Sequence, residues 1–245
     1  MPKPKTIVLE PSAKHTATII ILHGLGDTGA GWQVPTPHQH LSKLLRPSLP
    51  HVKFVFPTAE LRPITVNNGA LSTAWYDIHP FNRTDPNEDK EGLLQAQKLV
   101  AQIIREEVEE NKTPANRIVL GGFSQGSALS ILTGLTLEYP LAGIAALSGY
   151  VPLYKTLMGM TSKASRKTPI FWGHGTFDPV VRFDVGEDSA AFLRSYEYSV
   201  DFHSYPKMGH SVCPDEINDL LEFFKKTVPE NPEDGLFQEI SQAKL

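Results

Sequence analysis

A long uncharged segment sets the strongest limit on what this chain can fold into. From Ile118 to Leu137, 20 residues carry no charged side chain, which is enough length to span a bilayer. The segment contains four glycines and six Ser, Thr or Gln residues, which interrupt its apolar character. It therefore predicts a buried strand followed by a buried helix over Ser127–Leu137, and not a transmembrane span.

Short runs rich in Ile, Val and Leu alternate with helical periodicity along the rest of the chain. This alternation predicts an α/β fold with a mainly parallel central sheet and helices on both faces. Two further helices are predicted, one from about Glu88 to Glu110 and one entered through Pro214-Asp215. The predicted strands are Thr18–Leu22, Lys53–Phe56, Arg117–Gly121, Gly143–Ser148, Pro169–Gly173 and Val200–Tyr205.

The domain organisation follows from the absence of any break in composition. We expect one domain over residues 1–228 and a mobile C-terminal extension over 229–245. Residues 35–63 carry six prolines and are predicted to be loops around one strand. Residues 63–89 lack clear periodicity, and a loop of that length often serves as a functional lid.

Composition and charge exclude several functions. With 40% apolar residues and a net charge of −4, the chain is an ordinary globular protein without the basic character of a nucleic-acid binder. The single cysteine, Cys213, rules out an intrachain disulfide and a cysteine-based metal site. The scattered histidines show no ligand spacing, so no metal is expected. The glycines after Leu22 do not have dinucleotide-binding spacing, and no cofactor is expected either.

The motif Gly122-Phe123-Ser124-Gln125-Gly126 lies between the predicted strand and the buried helix. A nucleophile on a sharp strand-to-helix turn needs small neighbours, and the helix N-terminus favours negative charge that develops there. Ser124 is therefore the candidate nucleophile. An incidental serine in a glycine-rich connection is the alternative, and Cys213 is the weaker candidate for a nucleophile.

A serine nucleophile needs a base and an orienting acid, which follow it in the order acid, then histidine. After Ser124 the histidines are His174, His203 and His210, and His210 lies in a loop between the last predicted strand and helix. We predict His210 as the base. Asp178 follows the end of a predicted strand and is the candidate acid, with Asp184 and Asp188 as alternatives that cap a helix more naturally.

The oxyanion hole requires two N–H donors near the nucleophile. One is the amide of Gln125, and the candidate for the second is the amide of Leu25 in the loop Leu22–Asp27. A set of hydrophobic residues is predicted to line an acyl channel, although core residues would give the same pattern. They are Leu71, Trp75, Ile78, Phe177, Val180 and Val181.

Six segments resemble acyl-protein thioesterases and the related small cytosolic carboxylesterases and lysophospholipases, in the same order along Ile19–Phe224. They are Leu22–Trp32, Asn68–Asp77, Gly121–Ser130, Leu147–Leu153, His174–Val181 and Met208–Glu216. The resemblance implies an α/β-hydrolase with Ser124, Asp178 and His210 as the triad, and Leu25 and Gln125 as oxyanion donors. It also implies hydrolysis of S-acyl groups, often palmitoyl, on protein cysteines.

Three functional hypotheses remain from the sequence. The first is a thioesterase acting on S-acylated proteins, and the second is a general carboxylesterase or lysophospholipase acting on small acyl esters. The third, a non-catalytic binding protein with the same fold, conflicts with the complete triad. Departures from the family pattern at Thr176-Phe177, Tyr150 and Arg182 border the predicted channel and leave acyl-chain preference open.

The expected location is the cytoplasm, with the nucleus as a further compartment and transient contact with a membrane surface left open. The terminal Ala243-Lys244-Leu245 resembles a peroxisomal address and offers an alternative location. The sequence does not fix the oligomeric state.

Overall fold

The structure is a computed structural model that describes residues 4–32, 45–79 and 88–230. Within this part of the chain, seven strands form one sheet in the order β1-β3-β2-β6-β7-β8-β9. Two more strands, β4 and β5, form a separate antiparallel pair. The strands are β1 Lys5–Leu9, β2 Ala17–Leu22, β3 Val52–Thr58, β4 Leu61–Ile64, β5 Ala70–Thr73, β6 Ile118–Phe123, β7 Gly143–Leu147, β8 Ile170–Gly175 and β9 Val200–Tyr205.

The central sheet is mainly parallel, as predicted. Strand β1 runs antiparallel to β3, and every other neighbouring pair in the sheet is parallel. The carboxyl ends of β2, β3, β6, β7, β8 and β9 therefore lie at one edge, where open α/β sheets place their sites. The six predicted strands are all present, with ends that differ by at most two residues.

Four α-helices occur in the described ranges: α1 Lys90–Glu109, α2 Gln125–Thr136, α3 Phe183–Ser195 and α4 Pro214–Thr227. Asp89 is the N-cap of helix α1, and its side chain accepts a hydrogen bond from the Gly92 amide at 2.9 Å. Helix α4 begins with Pro214 at its first position, where the missing N–H has no cost. Helix α2 is buried along almost its whole length, as its composition predicts.

Two hydrophobic cores lie on opposite faces of the sheet. Alternating residues of β2 point to the two sides: Ile20 packs in one core with α1, α2 and α3, and Ile19 packs in the other with α4. Trp32 and Leu49 complete the second core. Covered faces explain why β2 and β6 contain continuous apolar runs in place of polar alternation.

Three elements differ from the sequence-based expectation. Strand β1 was not predicted, because an edge strand of five half-exposed residues has little apolar signal. The hairpin β4–β5 overlaps the start of the region predicted as a long lid, and it was missed because Pro63 interrupts the first strand and three of the four residues of that strand are not buried. Helix α3 was indicated only as a helix start near Asp184 and Asp188, without bounds, since Gly186 and charged residues weaken its periodicity.

Several predictions fall outside the described residues or remain predictions. The C-terminal extension is described only at Pro229 and Glu230, so the terminal Ala243-Lys244-Leu245 lies outside the described residues. The single domain over residues 1–228 remains a prediction. In the described ranges, no helix combines the length and the apolar character that crossing a bilayer requires.

Candidate active site

Ser124 lies on a sharp turn between β6 and α2. Its backbone has φ 53° and ψ −115°, a strained conformation for a residue with a side chain. The flanking glycines make this turn possible. A Cβ on Gly126 would lie 2.4 Å from the Leu22 carbonyl oxygen, and a Cβ on Gly122 would lie 2.3 Å from the Gly126 carbonyl carbon. The chain therefore requires glycine at both places to pack the helix against the end of β2.

His210 and Asp178 form a hydrogen-bonded pair. His210 Nδ1 lies 2.7 Å from Asp178 Oδ2, and the Asp178 side chain is fully buried. The other carboxylate oxygen, Oδ1, accepts hydrogen bonds from the Val180 and Val181 amides at 2.8 and 2.9 Å. Three donors thus hold the carboxylate in one orientation. The His210 side chain keeps 16% of its surface exposed, so its ring remains accessible from the edge of the sheet.

Packing at the carboxyl edge brings the loops together around Ser124. The ring of Phe123, the residue before Ser124, lies 4.7 Å from the His210 ring between centroids. On its other side, a Cβ on Gly24 would lie 3.2 Å from Phe123 Cδ1 and 3.4 Å from Ser124 Cβ. The base loop, the nucleophile turn and the loop after β2 therefore meet at one point.

No hydrogen bond joins Ser124 Oγ to His210 Nε2 within the described part of the chain. Such bonds are often loose in hydrolases and tighten when the substrate binds. The loop that carries His210 is fixed nearby, since the Phe177 amide donates to the Met208 carbonyl at 3.0 Å. This bond and the His210–Asp178 pair restrict the position of the His210 loop beside the Ser124 turn.

The two predicted oxyanion donors belong to the two segments that meet at Ser124. Gln125 is the first residue of α2, so its N–H has no acceptor within the helix. Leu25 follows Gly24, which packs against Ser124. Among the described residues, neither N–H donates a hydrogen bond to another group. Both are thus available to an oxygen at the nucleophile.

The Gln125 side chain has a second role that sequence reasoning missed. Its Oε1 accepts from the Trp75 amide at 3.0 Å, and its Nε2 donates to the Tyr76 carbonyl at 2.7 Å. These bonds tie the segment after the β4–β5 hairpin to the start of α2. Gln125 is about fifty residues from Trp75 and Tyr76 in the chain, so no local pattern in the sequence indicates these bonds.

His174 is the buried neighbour of the acid and is not a rival base. Its Nε2 lies 2.8 Å from the Val181 carbonyl oxygen and 3.6 Å from Asp178 Oδ2. Burial lowers the pKa of His174, which favours the neutral ring. The ring therefore supports the turn Asp178–Val181 that holds the Asp178 carboxylate.

The other candidates from the sequence, His203, Asp184 and Cys213, have partners outside the His210–Asp178 pair. His203 pairs with Asp201 at 3.1 Å and approaches Asp219 at 3.5 Å, while Asp184 is exposed and paired with Arg182. Cys213 precedes α4, and burial raises the pKa of its thiol, which makes it a poorer nucleophile. None of these pairs involves His210.

The six predicted channel residues differ in exposure and fall into three groups. Leu71, Phe177 and Val180 are exposed over 61–69% of their surface. Trp75 and Val181 are buried in the core, and Trp75 Nε1 donates to the His23 carbonyl at 2.8 Å. Ile78 is half-buried. Leu71, Phe177 and Val180 therefore each expose an apolar side chain, whereas Trp75 and Ile78 belong to the packing of one core.

Metal ligands do not assemble in this region. In residues 4–32, 45–79 and 88–230, no three His, Cys, Asp or Glu side chains come together as a group that could hold a metal ion.

Comparison with known proteins places this geometry in a family. The model of the phospholipase/carboxylesterase family matches residues 3–228. Acyl-protein thioesterase 1 of Mycosarcoma maydis is 42% identical over 238 residues, covering 92% of this chain and 98% of that protein.

Two solved plant structures share the fold. Arabidopsis thaliana SOBER1 matches with a TM-score of 0.80 and 32% identity, over 87% of this chain and 99% of its own. Acyl-protein thioesterase 2 of Zea mays matches with a TM-score of 0.79 and 29% identity, over 92% and 99%. The chain therefore belongs to the phospholipase/carboxylesterase family, has the α/β-hydrolase fold and is a serine hydrolase.

Proposed function

We propose that this chain removes S-acyl groups of the palmitoyl type from protein cysteines by thioester hydrolysis. The observation that carries the proposal is the His210–Asp178 pair beside a strained Ser124 turn, in a chain 42% identical to an acyl-protein thioesterase over nearly its full length. The exposed apolar side chains of Leu71, Phe177 and Val180 provide a surface suited to an acyl chain.

The first half of the mechanism forms an acyl-enzyme. Ser124 Oγ attacks the thioester carbonyl while His210 Nε2 takes the serine proton, and Asp178 stabilises the imidazolium through Nδ1. The Leu25 and Gln125 amides donate to the oxyanion of the tetrahedral intermediate, each contributing about 3–4 kcal/mol. The intermediate collapses by breaking the C–S bond, and His210 returns the proton to the leaving cysteine sulfur.

The second half releases the acyl group. Water attacks the Ser124 ester with His210 again as general base, and a second oxyanion forms at the same donors. Collapse of this intermediate breaks the bond to Ser124 Oγ, which regains its proton from His210. The products are the free cysteine thiol and the fatty acid, and the enzyme returns to its starting state.

A matched pair of substrates tests the proposal. A palmitoylated cysteine peptide is compared with the serine peptide that carries the same acyl chain as an oxygen ester. We expect a higher kcat/KM for the thioester, with both activities and fluorophosphonate labelling lost in Ser124→Ala. Faster hydrolysis of the oxygen ester and of short p-nitrophenyl esters, with no depalmitoylation, would instead assign the chain as a general carboxylesterase or lysophospholipase.

Ser130→Ala is a suitable control for the nucleophile. Ser130 lies on the same helix, is buried, and donates to the Gly126 carbonyl at 2.8 Å. It should retain labelling. Labelling that persists in Ser124→Ala would refute the assignment of the nucleophile.

A further inference from the structure

His23 is a fully buried histidine that the mechanism above does not use. It directly follows β2, and both of its ring nitrogens have partners. Nδ1 lies 2.7 Å from the Gly24 carbonyl oxygen, and Nε2 lies 3.0 Å from the Ala59 amide nitrogen. The ring thus bridges the loop after β2 and the residue that follows β3.

These two partners determine which nitrogen of His23 carries the proton. The Ala59 amide is a donor only, so Nε2 must offer its lone pair. In the neutral ring the proton is then on Nδ1, which donates to the Gly24 carbonyl. Burial lowers the pKa of His23, against the opposing effects of the Gly24 bond and the charge of Asp27. The neutral Nδ1–H form satisfies both contacts.

The Gly24 carbonyl is part of the peptide that carries the Leu25 amide. A trans peptide is planar, and its C=O and N–H point in opposite directions. Fixing the Gly24 oxygen therefore fixes the direction of the Leu25 N–H. The Asp27 amide also donates to the Gly24 oxygen, at 3.2 Å, and closes a turn. It therefore shares with His23 the fixing of the Gly24–Leu25 peptide plane.

Contacts on the other side keep the His23 ring in place. Trp75 Nε1 donates to the His23 carbonyl at 2.8 Å, and the two ring centroids lie 5.1 Å apart. Trp75 is held in turn by the hydrogen bond that its backbone N–H donates to Gln125 Oε1. The loop that carries the Leu25 amide is therefore supported, through Trp75, by the side chain of Gln125. The backbone amide of Gln125 is the second predicted oxyanion donor.

We propose that His23 is the positioning residue of the oxyanion hole: by donating Nδ1–H to the Gly24 carbonyl, it aims the Leu25 N–H at the oxygen of the acyl group on Ser124. The inference rests on the proposed function, in which the Leu25 amide is an oxyanion donor. His23 itself touches no reacting atom.

Two substitutions of similar size separate the donor at Nδ1 from the acceptor at Nε2. In His23→Asn the amide nitrogen occupies the place of Nδ1 and keeps the bond to the Gly24 carbonyl, but Ala59 loses its acceptor. In His23→Gln the amide extends to the place of Nε2 and accepts from Ala59, but Gly24 loses its donor. Both variants remove the ring and its contact with Trp75.

We expect kcat on a short p-nitrophenyl ester to fall about 30- to 100-fold in His23→Gln and about threefold in His23→Asn. KM should change little in either variant, because the oxyanion forms after substrate binding. Each rate is divided by the concentration of active sites, which is measured by titration with a fluorophosphonate. A loss of folded protein is then not counted as a loss of kcat. Affinity for an alkyl boronic acid should fall in parallel with kcat in His23→Gln.

Equal losses of kcat in the two variants, or wild-type kcat in His23→Gln, would overturn the proposal. Failure of the proposed function looks different, since the wild-type protein would then fail to hydrolyse acyl thioesters. Nitrogen-15 NMR of the wild-type ring gives a measurement that needs no variant. We expect a protonated Nδ1 and an unprotonated Nε2, and a proton on Nε2 at neutral pH would overturn the inference.

Discussion

His210 Nδ1 lies 2.7 Å from Asp178 Oδ2, and the two amides of Val180 and Val181 hold the other oxygen of the same carboxylate. The carboxylate therefore has one oxygen left for one partner. A single acceptor at Nδ1 requires a proton there and leaves the lone pair of Nε2 free to take a proton from Ser124. The acid thus selects the tautomer of the base.

Asp178→Asn should lower kcat by about 10³- to 10⁴-fold, because the amide can donate to Nδ1 and favour the wrong tautomer of His210. The fold should be retained, since asparagine keeps the shape of the side chain. Steady-state hydrolysis of a p-nitrophenyl ester measures the effect. Asp184→Asn is the control, because Asp184 is an exposed acid paired with Arg182 nearby. A comparable loss in the Asp184 variant would contradict the assignment of the acid.

Gly126, in the turn that carries Ser124, should be needed for stability as well as for activity. In Gly126→Ala the new methyl group would lie 2.4 Å from the Leu22 carbonyl oxygen and 2.6 Å from that of His23. We expect a loss of about 1–3 kcal/mol in the free energy of unfolding, measured by urea denaturation. Gly159→Ala is the control, because a Cβ there meets no atom within 4 Å. It should change stability by less than about 0.5 kcal/mol.

Sequence reasoning could propose the candidate triad because its signals are local. Ser124 lies in a five-residue motif, and Asp178 and His210 each follow a recognisable strand in the expected order. The roles of His23 and of the Gln125 side chain could not be found this way. The bond of His23 to Gly24 is local, but its direction depends on the bond from Ala59, 36 residues away. The side-chain bonds of Gln125 join residues about 50 positions away, and no periodicity or motif connects these partners.

The same distinction explains the elements that were missed or left without bounds. Helix α3 contains Gly186, which lowers helix propensity, yet a Cβ there would lie 2.3 Å from His174 Nδ1. Tertiary packing against a buried histidine therefore selects a residue that weakens the helical pattern. Strand β1 similarly takes its stability from pairing with β3, which its own five residues do not encode.

The Gln125 side chain should contribute to stability through two long-range bonds. Gln125→Leu would leave the Trp75 amide and the Tyr76 carbonyl buried without these partners, at a cost of about 1–3 kcal/mol each. Urea denaturation measures the loss. Gln97→Leu is the comparison, because Gln97 makes one side-chain bond, to Thr136 at 3.1 Å. Equal losses in the free energy of unfolding for the two substitutions would mean that the two Gln125 bonds stabilise the fold no more than the single Gln97 bond does.

The exposed ring of Phe177 should affect long acyl chains selectively. It adjoins Asp178 and is 69% exposed, so an acyl chain that covers part of it gains apolar burial. Phe177→Ser should raise KM for a palmitoyl substrate about fivefold and leave kcat/KM for an acetyl ester unchanged. Val8→Ser, at an exposed position on the edge strand β1, is the control. A parallel change for both chain lengths would remove Phe177 from the acyl surface.

Glu216 should make the protein less stable as the pH rises. It is fully buried on α4, and burial raises its pKa to about 8, against the opposing effect of the Cys213 backbone and with a smaller contribution from the charge of Asp219. Below pH 4.5 both the folded and the unfolded states hold the proton. Between pH 4.5 and about 8 the unfolded state releases it while the folded state retains it, so unfolding becomes more favourable by about 1.4 kcal/mol for each pH unit.

Glu216→Gln removes this titration, so the difference in unfolding free energy between variant and wild type should grow from pH 5 to pH 8, to about 4 kcal/mol. Urea denaturation at four pH values measures the difference. Glu222→Gln, on the same helix but exposed and paired with Lys225, is the control for replacing a carboxyl on this helix. A constant difference for Glu216→Gln would mean that the buried carboxyl has the same pKa in both states, because only a proton held in one state and not in the other can change stability with pH.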